Sequence, residues 1–441
     1  MSTQPPIVAY VLKRWPRLTE TFILNEIRTM EQLGATLVIF SLLPPEPPPH
    51  HSGVSEVRAP VYRLPSHWLQ KLAVLLVAHG TLLRTAPRGY FEALGKTIGW
   101  SWRSRKPSAA WKDFVRAGFV AARCRDLGVT RLHAHFANTP TGVAQTASLM
   151  SAIPYSFTAH AKDIYLASPS TLTRRIEGAD MVATCTAYNL AHLSSLVGEK
   201  AAAKIELVYH GIDLANGFKP DAAAPSPAAA GNGSGRVPLV LSVGRLVPKK
   251  GHDTLIAACA DLRAQGLAFT CKIVGAGPLK ADLQAQIEAL GLTEQVKLAG
   301  AMNHAELRGL YAKASLFVLA PRIAEDGDRD GIPNVIAEAM AMNVPVISTA
   351  TSGIPEIVRD GESGLLVESD DATALAGAMK RLISEPEFGE SLSAAASARL
   401  AAAFDLHKTT QRLFSLMGCQ SCAVETASGQ GSKRFVAEAV S

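Results

Sequence analysis

The chain has 441 residues, more than one hydrophobic core usually supports, so we expect two domains. Its 44 basic and 38 acidic residues give a net charge of +6, but residues 1–125 alone hold 17 basic against 7 acidic residues. This local charge is compatible with anionic lipid or nucleic acid, and the lack of zinc-finger spacing and of RNA-binding aromatic motifs argues against nucleic acid.

The N-terminus and the apolar runs predict a cytoplasmic protein. Residues 1–6 lack the charged and apolar regions of a signal peptide, and the apolar run 72–83 is too short for a membrane span. Six scattered cysteines favour reduced thiols. Only Cys419 and Cys422 have metal or redox spacing, and no second pair accompanies them, so an ordinary cysteine pair is the simpler interpretation.

Strand and helix patterns alternate from the start of the chain. A strand over 7–12, an amphipathic helix over 20–33 and a strand over 36–42 form a βαβ unit, which implies a parallel sheet. The unit opens a predicted first domain, 1–212. Its later strands are expected at 131–134, 155–158, 181–184 and 205–208.

A helical, basic insertion over about 66–119 interrupts this domain. Its aromatic and basic residues include Trp68, Trp100, Trp102, Trp111, Arg84, Arg88, Arg103, Arg105 and Lys106. The segment fits a membrane surface, with rings at headgroup level and cations toward lipid phosphates. Because its apolar stripe is not clean, half-buried packing in a soluble insertion is an equally consistent interpretation.

Residues 213–238 are rich in Ala, Pro, Gly and Ser and predict a linker. Regular strand and helix alternation then predicts a second doubly wound domain over 239–405. A helix over 406–418 follows, placed to pack back on the first domain, and 419–441 is a predicted mobile tail. The fold class is therefore α/β, with ligands expected at the carboxyl ends of the strands, in a cleft between the domains.

The turn after the strand at 239–243 carries Gly244, Arg245 and Lys250. Gly244 allows a sharp exit, Arg245 offers a bidentate fork for phosphate oxygens, and Lys250 offers a point charge. The Gly-Lys-Ser/Thr order of a Walker loop is absent. A solvated basic turn is the alternative interpretation.

Gly275 and Gly277 form a second strand-to-helix turn. The dinucleotide fingerprint needs a third glycine where Lys280 stands, which argues against a nicotinamide cofactor. What remains is a close backbone approach, either to a ligand or to the neighbouring strand.

Asp330 and Glu338 lie on either side of a helix start near Pro333. The free N–H groups and the helix dipole there favour a phosphate. With a rise of ~1.5 Å per residue the two carboxylates are too far apart to share one metal ion, but they can bind separate hydroxyls of one elongated ligand. The candidate ligand-binding segment comprises Asp330, Gly331, Ile332, Pro333, Asn334, Val335 and Glu338.

Asp326 and Asp328 have the spacing that holds Mn²⁺ or Mg²⁺ in many nucleotide-sugar enzymes. A flexible acidic rim is the simpler interpretation, because the helix start beside them already supplies positive potential. We predict no metal and no cofactor.

Polar residues also follow strands of the first domain. His133 and His135 share one face of a strand end, and His160 and Asp163 follow the next strand. Structural histidines are the alternative, although two histidine-bearing strand ends favour function for His160. At the end of the first strand, Thr19 and Glu20 precede a helix, where Thr19 serves as a cap or contacts a substrate.

These motifs resemble the retaining family-4 glycosyltransferases of the GT-B fold. The similarity is dense over 239–370, in Ser-Val-Gly-Arg-Leu-Val-Pro-Lys-Lys-Gly, Val-Gly-Ala-Gly-Pro, the 330–338 element and Ser-Gly-Ile-Pro-Glu-Ile-Val. In the first domain, Arg-Trp-Pro-Arg-Leu-Thr-Glu-Thr-Phe-Ile-Leu-Asn-Glu and His-Ala-His-Phe-Ala are similar to a bacterial branch that builds exopolysaccharide and other cell-surface glycans.

The resemblance implies a nucleotide diphosphate sugar as donor and a lipid-linked glycan or lipid as acceptor. It implies that Arg245 and Lys250 bind the diphosphate and Glu338 the ribose, while Asp330 with the backbone of 331–333 binds the sugar. His160 is implied beside the transferred sugar. The family usually has Glu at the position of Asp330.

The implied activity is hexosyl transfer at the inner face of the cytoplasmic membrane, with His160, Asp330, Arg245 and Lys250 as catalytic candidates. Candidates on the acceptor side are Thr19, Glu20, His135 and Asp163. Two alternatives stay open: a non-transferring relative such as a nucleotide-sugar epimerase, and an inactive sugar-nucleotide-binding scaffold.

Overall fold

The computed structural model describes residues 6–17, 20–48, 51–103, 107–214, 217–219 and 237–419. Two parallel sheets, one per half of the chain, carry helices on both faces. The predicted α/β class with two doubly wound units is confirmed. Thr19, Cys422 and most of the predicted linker and tail lie outside the described residues.

The first sheet has seven parallel strands in the order β3-β2-β1-β4-β5-β6-β7. Their bounds are β1 (Ile7–Arg14), β2 (Thr36–Leu43), β3 (Val61–Tyr62), β4 (Arg131–His135), β5 (Tyr155–Ala159), β6 (Met181–Thr184) and β7 (Ile205–Leu207). Side chains of β1 alternate between two buried clusters, Tyr10 on one face and Val11 on the other. Both faces are covered, which explains the unbroken apolar run of this strand.

Helices cover both faces of the first sheet. They are α1 (Thr21–Gln32), α2 (Trp68–Thr85), α3 (Pro87–Arg103), α4 (Pro107–Asp126), α5 (Thr139–Ser151), α6 (Ala161–Tyr165), α7 (Pro169–Gly178), α8 (Ala187–Ser195) and α9 (Glu199–Ala202). The predicted helical insertion corresponds to α2–α4. In the part of the chain that the structure describes, no helix is long and apolar enough to span a membrane.

The second sheet has six parallel strands in the order β10-β9-β8-β11-β12-β13. The bounds are β8 (Leu239–Val243), β9 (Thr270–Val274), β10 (Val296–Gly300), β11 (Leu316–Val318), β12 (Val346–Thr349) and β13 (Leu365–Val367). The strand order reverses between β8 and β11. A crevice opens at such a switch point, so the loops that follow these two strands become neighbours.

The helices of the second half follow the predicted pattern. They are α10 (His252–Ala264), α11 (Lys280–Ala289), α12 (His304–Tyr311), α13 (Asn334–Ala341), α14 (Ile354–Ile357), α15 (Ala372–Ser384), α16 (Pro386–Ala403) and α17 (Leu406–Leu416). At the start of α12 the Asn303 carboxamide accepts from the N–H of Glu306, and the Glu306 carboxylate accepts from the N–H of Asn303. This reciprocal pair is a capping box, which fixes where α12 begins.

The last helix returns to the first sheet. Leu413 and Phe414 of α17 are buried in the same cluster as Tyr10 of β1 and Ile27 of α1. Cys419, just beyond α17, is buried there as well. The C-terminal helix of the second half therefore packs on the first half, in addition to the chain connection that follows β7.

Candidate active site

Two aspartates and two lysines form an ion cluster at the switch point of the second sheet. Asp330 lies between Lys249 and Lys250, with Oδ1 3.2 Å from the Lys249 Nζ and Oδ2 2.7 Å from the Lys250 Nζ. Lys249 also contacts Asp328 at 3.0 Å. Burial would raise the pKa of Asp330, but the two ammonium groups outweigh it and hold that pKa below its usual value. Asp330 is therefore an ionised, fixed carboxylate.

Arg245 lies on the same loop as Lys249 and Lys250, between β8 and α10. Its side chain is exposed and, among the described residues, forms no hydrogen bond or ion pair, so its guanidinium is available to a ligand. Lys250 is 12% exposed and already neutralised by Asp330. A diphosphate at this loop would meet one free cation and one that it shares with Asp330.

The two glycines after β9 are explained by the neighbouring loop. Gly275 has φ +151°, and a Cβ there would lie 1.8 Å from the Gly244 carbonyl oxygen. A Cβ on Gly277 would lie 2.3 Å from the Leu246 oxygen. Of the two close approaches considered from the sequence, the structure shows the one to the adjacent strand's loop. Gly275 and Gly277 therefore pack directly against the backbone of the loop that carries Arg245 and hold that loop in place.

Glu338 lies one turn inside α13, beside the buried Tyr311. The Tyr311 hydroxyl is 3.2 Å from Glu338 Oε2. Burial raises the pKa of Glu338 to about 7, with the Tyr311 hydrogen bond acting in the opposite direction. Pro333 is the N-cap residue of α13 rather than its first helical residue. The first-turn N–H groups of Asn334 and Val335 therefore lack intrahelical acceptors.

A cleft of about 590 Å³ separates the two domains. The first domain lines it with Phe22 and Asn25 of α1 and with His210 after β7, and the second with Asn334 and Glu338 of α13. Arg245, Lys250 and Asp330 lie outside its lining. Glu338 and the start of α13 thus connect the ion cluster to the open cleft.

The domains are in direct contact beside this cleft. The Glu356 carboxylate accepts hydrogen bonds from the N–H groups of Ala187 and Tyr188, at 2.7 and 2.9 Å, at the start of α8 in the other domain. A Cβ on Gly331 would lie 3.3 Å from Thr186 and 3.7 Å from the Cys185 Sγ. The 330–333 loop therefore faces the end of β6 across the domain boundary.

Buried histidines form a hydrogen-bonded chain on the first domain's side. His135 Nε2 is 2.9 Å from Glu26 Oε1, and His135 Nδ1 is 3.4 Å from His160 Nε2. His160 Nδ1 is 3.1 Å from His210 Nε2. The Cys185 Sγ lies within 4.8 Å of nitrogens of both His160 and His210. The Cys185 Sγ also faces Gly331. The His210 end of the histidine chain therefore lies opposite the loop that carries Asp330.

Metal-type donor sets occur in this region, as His160, Cys185 and His210 and as Glu26, His133 and His135. In both sets imidazole nitrogens are hydrogen-bonded directly to other protein groups. Burial raises the pKa of the Cys185 thiol to about 12, which keeps it protonated at neutral pH. These groups are better described as hydrogen-bonded networks.

The remaining candidates on the acceptor side have structural contacts. The Asp163 carboxylate accepts from the backbone N–H groups of Ala137 and His160, so it fixes the loops after β4 and β5. Glu20 contacts Arg17 at 2.6 Å at the start of α1. Asp328, of the possible Asp326 and Asp328 metal pair, is instead bound to Lys249 and lies 3.8 Å from Lys162 of the other domain.

Sequence reasoning gave no role to four residues that the structure places at the site. Glu26, Lys249 and Glu356 each lie within one of the motifs that resemble the family. His210 follows β7 just as His160 follows β5, so the same strand-end signal was present. For Lys249 the choice between two adjacent lysines depended on tertiary pairing.

Glu26 gives a test of the histidine chain through stability. Burial acts to raise the pKa of Glu26. The opposing effect of the histidines, chiefly His135, is larger and lowers this pKa to about 2. A carboxyl with a depressed pKa contributes stability above its unfolded pKa of ~4.3 and loses it as pH falls toward the folded value. We expect Glu26→Gln to cost ~3 kcal/mol in the free energy of unfolding at pH 6.

The measurement is urea denaturation of the wild type and Glu26→Gln between pH 3 and 7. The difference between them should shrink as pH falls below about 4.3. A difference that is constant over this range would show that the carboxylate's charge does not contribute.

Comparison with known proteins agrees with this geometry. Residues 230–399 match the family model described as glycosyl transferases group 1. The chain is 30% identical over 392 residues to the Escherichia coli K12 protein described as putative colanic acid biosynthesis glycosyltransferase WcaL, covering 84% of this chain and 88% of that one. A protein of the same description from Salmonella typhimurium is 43% identical over 137 residues, which span 31% of this chain and only 34% of its own length.

Solved structures share the architecture. Anabaena HepE, crystallised in complex with UDP and glucose, superposes with a TM-score of 0.69 at 19% identity, covering 95% of this chain and all of that one. At this identity the similarity shows the fold, which is GT-B. Together with the near full-length match to WcaL, it means that the chain belongs to the group 1 (GT4) glycosyltransferases, in a branch related to exopolysaccharide biosynthesis.

Proposed function

We propose that the protein is a retaining glycosyltransferase that moves a hexose from a nucleotide diphosphate sugar to a lipid-linked or lipid acceptor in cell-surface glycan synthesis. One observation supports this most strongly. Arg245, the pair of Asp330 and Lys250, and the start of α13 converge at the switch point, while Glu338 faces the cleft. This arrangement offers contacts for the phosphates, the sugar and the ribose of one ligand that extends from the switch point to the cleft.

The proposed donor site uses charges from two loops. Arg245 and Lys250 bind the diphosphate, assisted by the N–H groups at the start of α13. Glu338 binds the ribose hydroxyls, and Asp330 with the backbone of 331–333 binds the sugar. The His160 ring and its hydrogen-bonded neighbours approach from the first domain. Glu20, His135 and Asp163 support the acceptor side.

In the proposed reaction an acceptor hydroxyl attacks the anomeric carbon on the face from which the diphosphate departs. The bond between the anomeric carbon and the phosphate oxygen breaks with its electron pair on the diphosphate, and the departing oxygen takes the acceptor proton. Configuration at the anomeric carbon is retained. Arg245, Lys250 and the start of α13 stabilise the charge that develops on the diphosphate.

A thermal-shift panel of nucleoside diphosphates and their sugars tests the donor class. A ligand at 100 times its Kd should raise the free energy of unfolding by ~2.7 kcal/mol, so the correct nucleotide should stand out. If no nucleotide or nucleotide sugar stabilises the protein, the proposed function is wrong.

The raised pKa of Glu338, about 7, makes ligand affinity depend on pH. Ribose hydroxyls donate to a carboxylate, so the ionised form binds better, and we expect affinity for the nucleotide to rise by up to about tenfold from pH 6 to pH 8. Isothermal titration calorimetry would measure it, with Glu338→Gln as the control for titration of the ligand itself. Equal pH dependence in both proteins would remove Glu338 from the ribose site.

The insertion supports contact with a membrane surface. Leu72 and Leu76 of α2 lie one turn apart, are 48% and 65% exposed, and continue a row that begins at Trp68. Trp102 of α3 is 89% exposed. The same two helices carry exposed basic side chains at Lys71, Arg84 and Arg88. A lipid acceptor would reach the cleft from the domain that carries it.

Vesicle sedimentation tests this contact. Replacing Leu72 and Leu76 with aspartate should weaken binding to anionic phospholipid vesicles at least tenfold, because two apolar anchors are lost and two negative charges gained. The matched control replaces Ala281 and Ala285, exposed at the same spacing on α11, with aspartate. Equal binding by both double variants would exclude α2 as the contact surface.

A further inference from the structure

The histidine chain has a direction set by its buried end. The Glu26 carboxylate also receives the Tyr10 hydroxyl, at 2.8 Å. An ionised carboxylate only accepts hydrogen bonds, so His135 donates from Nε2, and in its neutral form its Nδ1 is unprotonated. That nitrogen accepts from His160 Nε2, and His160 Nδ1 in turn accepts from His210 Nε2. The last ring is left with an unprotonated Nδ1.

We propose that His210 is the group that accepts a hydrogen bond from a sugar hydroxyl in the cleft, and that Glu26, His135 and His160 are positioning residues that hold it in the accepting tautomer. This inference rests on the proposed function. It moves the direct contact from His160 to His210, because both nitrogens of His160 are already engaged by protein.

The placement of His210 supports this role. Its ring lines the cleft opposite Asn334 and Glu338. It packs against Phe22, with ring centroids 4.5 Å apart, and its ring plane is nearly parallel to that of His160, at an angle of 16°. Phe22 and the hydrogen-bonded histidines therefore restrict rotation of the His210 ring at the wall of the cleft.

Burial keeps the rings of His160 and His210 neutral. Burial lowers the pKa of His160 well below its usual range and that of His210 to about 4. A neutral imidazole carries one donor and one acceptor nitrogen, which the chain requires at each step. Among the described residues, the titratable groups on the elements packed around the hydrogen-bonded histidines include Tyr10, Glu20, Glu26, His133, His135, His160, Asp163, Cys185 and Cys419.

Nitrogen-15 NMR of the histidine-labelled wild-type protein tests the tautomers directly. The chain has 12 histidines, and the resonance lost in His210→Asn identifies His210. We expect His135, His160 and His210 all to carry their proton on Nε2 at pH 7. A proton on Nδ1 of His210 would overturn the proposal. This measurement needs no variant to be active.

Kinetics then test the contact with sugar, using the nucleotide sugar that gives the largest thermal shift. His210→Ala should lower kcat/KM about 10- to 100-fold, as expected for losing one hydrogen bond to a buried polar group. His210→Asn, whose carboxamide oxygen overlaps the Nδ1 position, should recover about tenfold. His407→Ala, on the exposed side of α17, should match the wild type.

Measuring donor hydrolysis, transfer and nucleotide binding separately shows which part of the proposal is wrong. A loss in donor hydrolysis without acceptor assigns the hydroxyl to the donor sugar, and a loss confined to transfer assigns it to the acceptor. Stabilisation by the nucleoside diphosphate alone should be unchanged in His210→Ala. If the wild type and His210→Ala turn over the donor equally well, the role of His210 is wrong but the proposed function stands. If the wild type neither binds nor turns over any nucleotide sugar, the proposed function itself is wrong.

Discussion

Replacing Arg245 with alanine is expected to lower turnover by about 10²- to 10³-fold, the usual cost of removing one group that stabilises charge developing in a transition state. The Arg245 side chain is exposed on the loop that carries Lys250, and no hydrogen bond or ion pair engages it among the described residues. The free energy of unfolding should hardly change, because no native contact is lost. Release of nucleoside diphosphate, measured at saturating donor, reports the effect.

A surface arginine gives the control for this variant. Arg381 forms an exposed ion pair with Glu385 on α15, and Arg381→Ala should leave turnover unchanged. Arg245→Lys should retain the charge but lose the bidentate fork, and we expect an intermediate rate. Near-normal turnover of Arg245→Ala would remove this residue from the phosphate site.

Asp330→Ala is expected to destabilise the second domain by about 3 kcal/mol, because it removes the counterion of the largely buried Lys250 and leaves Lys249 with Asp328 alone. The Lys249 and Lys250 side chains are only 7% and 12% exposed. Asp330→Glu should keep the charge and most of the stability. Urea denaturation at pH 7 measures both variants.

The pH dependence gives the sign of this effect. Since the pKa of Asp330 is lowered in the fold, its contribution is present above the unfolded pKa of ~3.9 and disappears as pH falls through the folded value. The cost of Asp330→Ala should therefore decrease in acid. A variant as stable as the wild type at pH 7 would mean that Lys249 and Lys250 find other partners, and the cluster would not be a fixed feature of the site.

Most of the fold was predictable from the sequence because both sheets are parallel and buried on both faces. Each strand is a short apolar run followed by glycine or polar residues, as at Val243 and Gly244. The two-residue strand β3 was missed, since Val61 and Tyr62 carry no periodic signal between prolines and loops. The helices of the insertion were predicted, but not which of their apolar faces would be exposed.

The site was predictable only where one motif carries one role. Glu338 and Arg245 lie on segments whose local pattern already indicates a ligand, and the structure places Glu338 at the cleft. The ion cluster and the histidine chain join residues from separate loops, such as Glu26 and His135, 109 positions apart. Such pairings depend on the packing of α1 against the sheet, which no spacing along the chain encodes.

Glu356 shows the same limit. Its motif was recognisable, yet its partners are backbone N–H groups of Ala187 and Tyr188 in the other domain. A carboxylate at the start of a helix is favourable wherever it comes from, so the sequence does not reveal that it joins the two domains. The relative position of the domains, and with it the cleft, depends on contacts of this kind.

Glycosyl transfer is tested most directly by incubating the protein with a lipid-linked glycan extract and the nucleotide sugar that gives the largest thermal shift. The products are followed by proton NMR. We predict release of nucleoside diphosphate that depends on the extract, a glycosidic product with the anomeric configuration of the donor, and loss of both with Arg245→Ala. Isomerisation of the nucleotide sugar without an acceptor, or binding with no release of nucleoside diphosphate, would contradict glycosyl transfer.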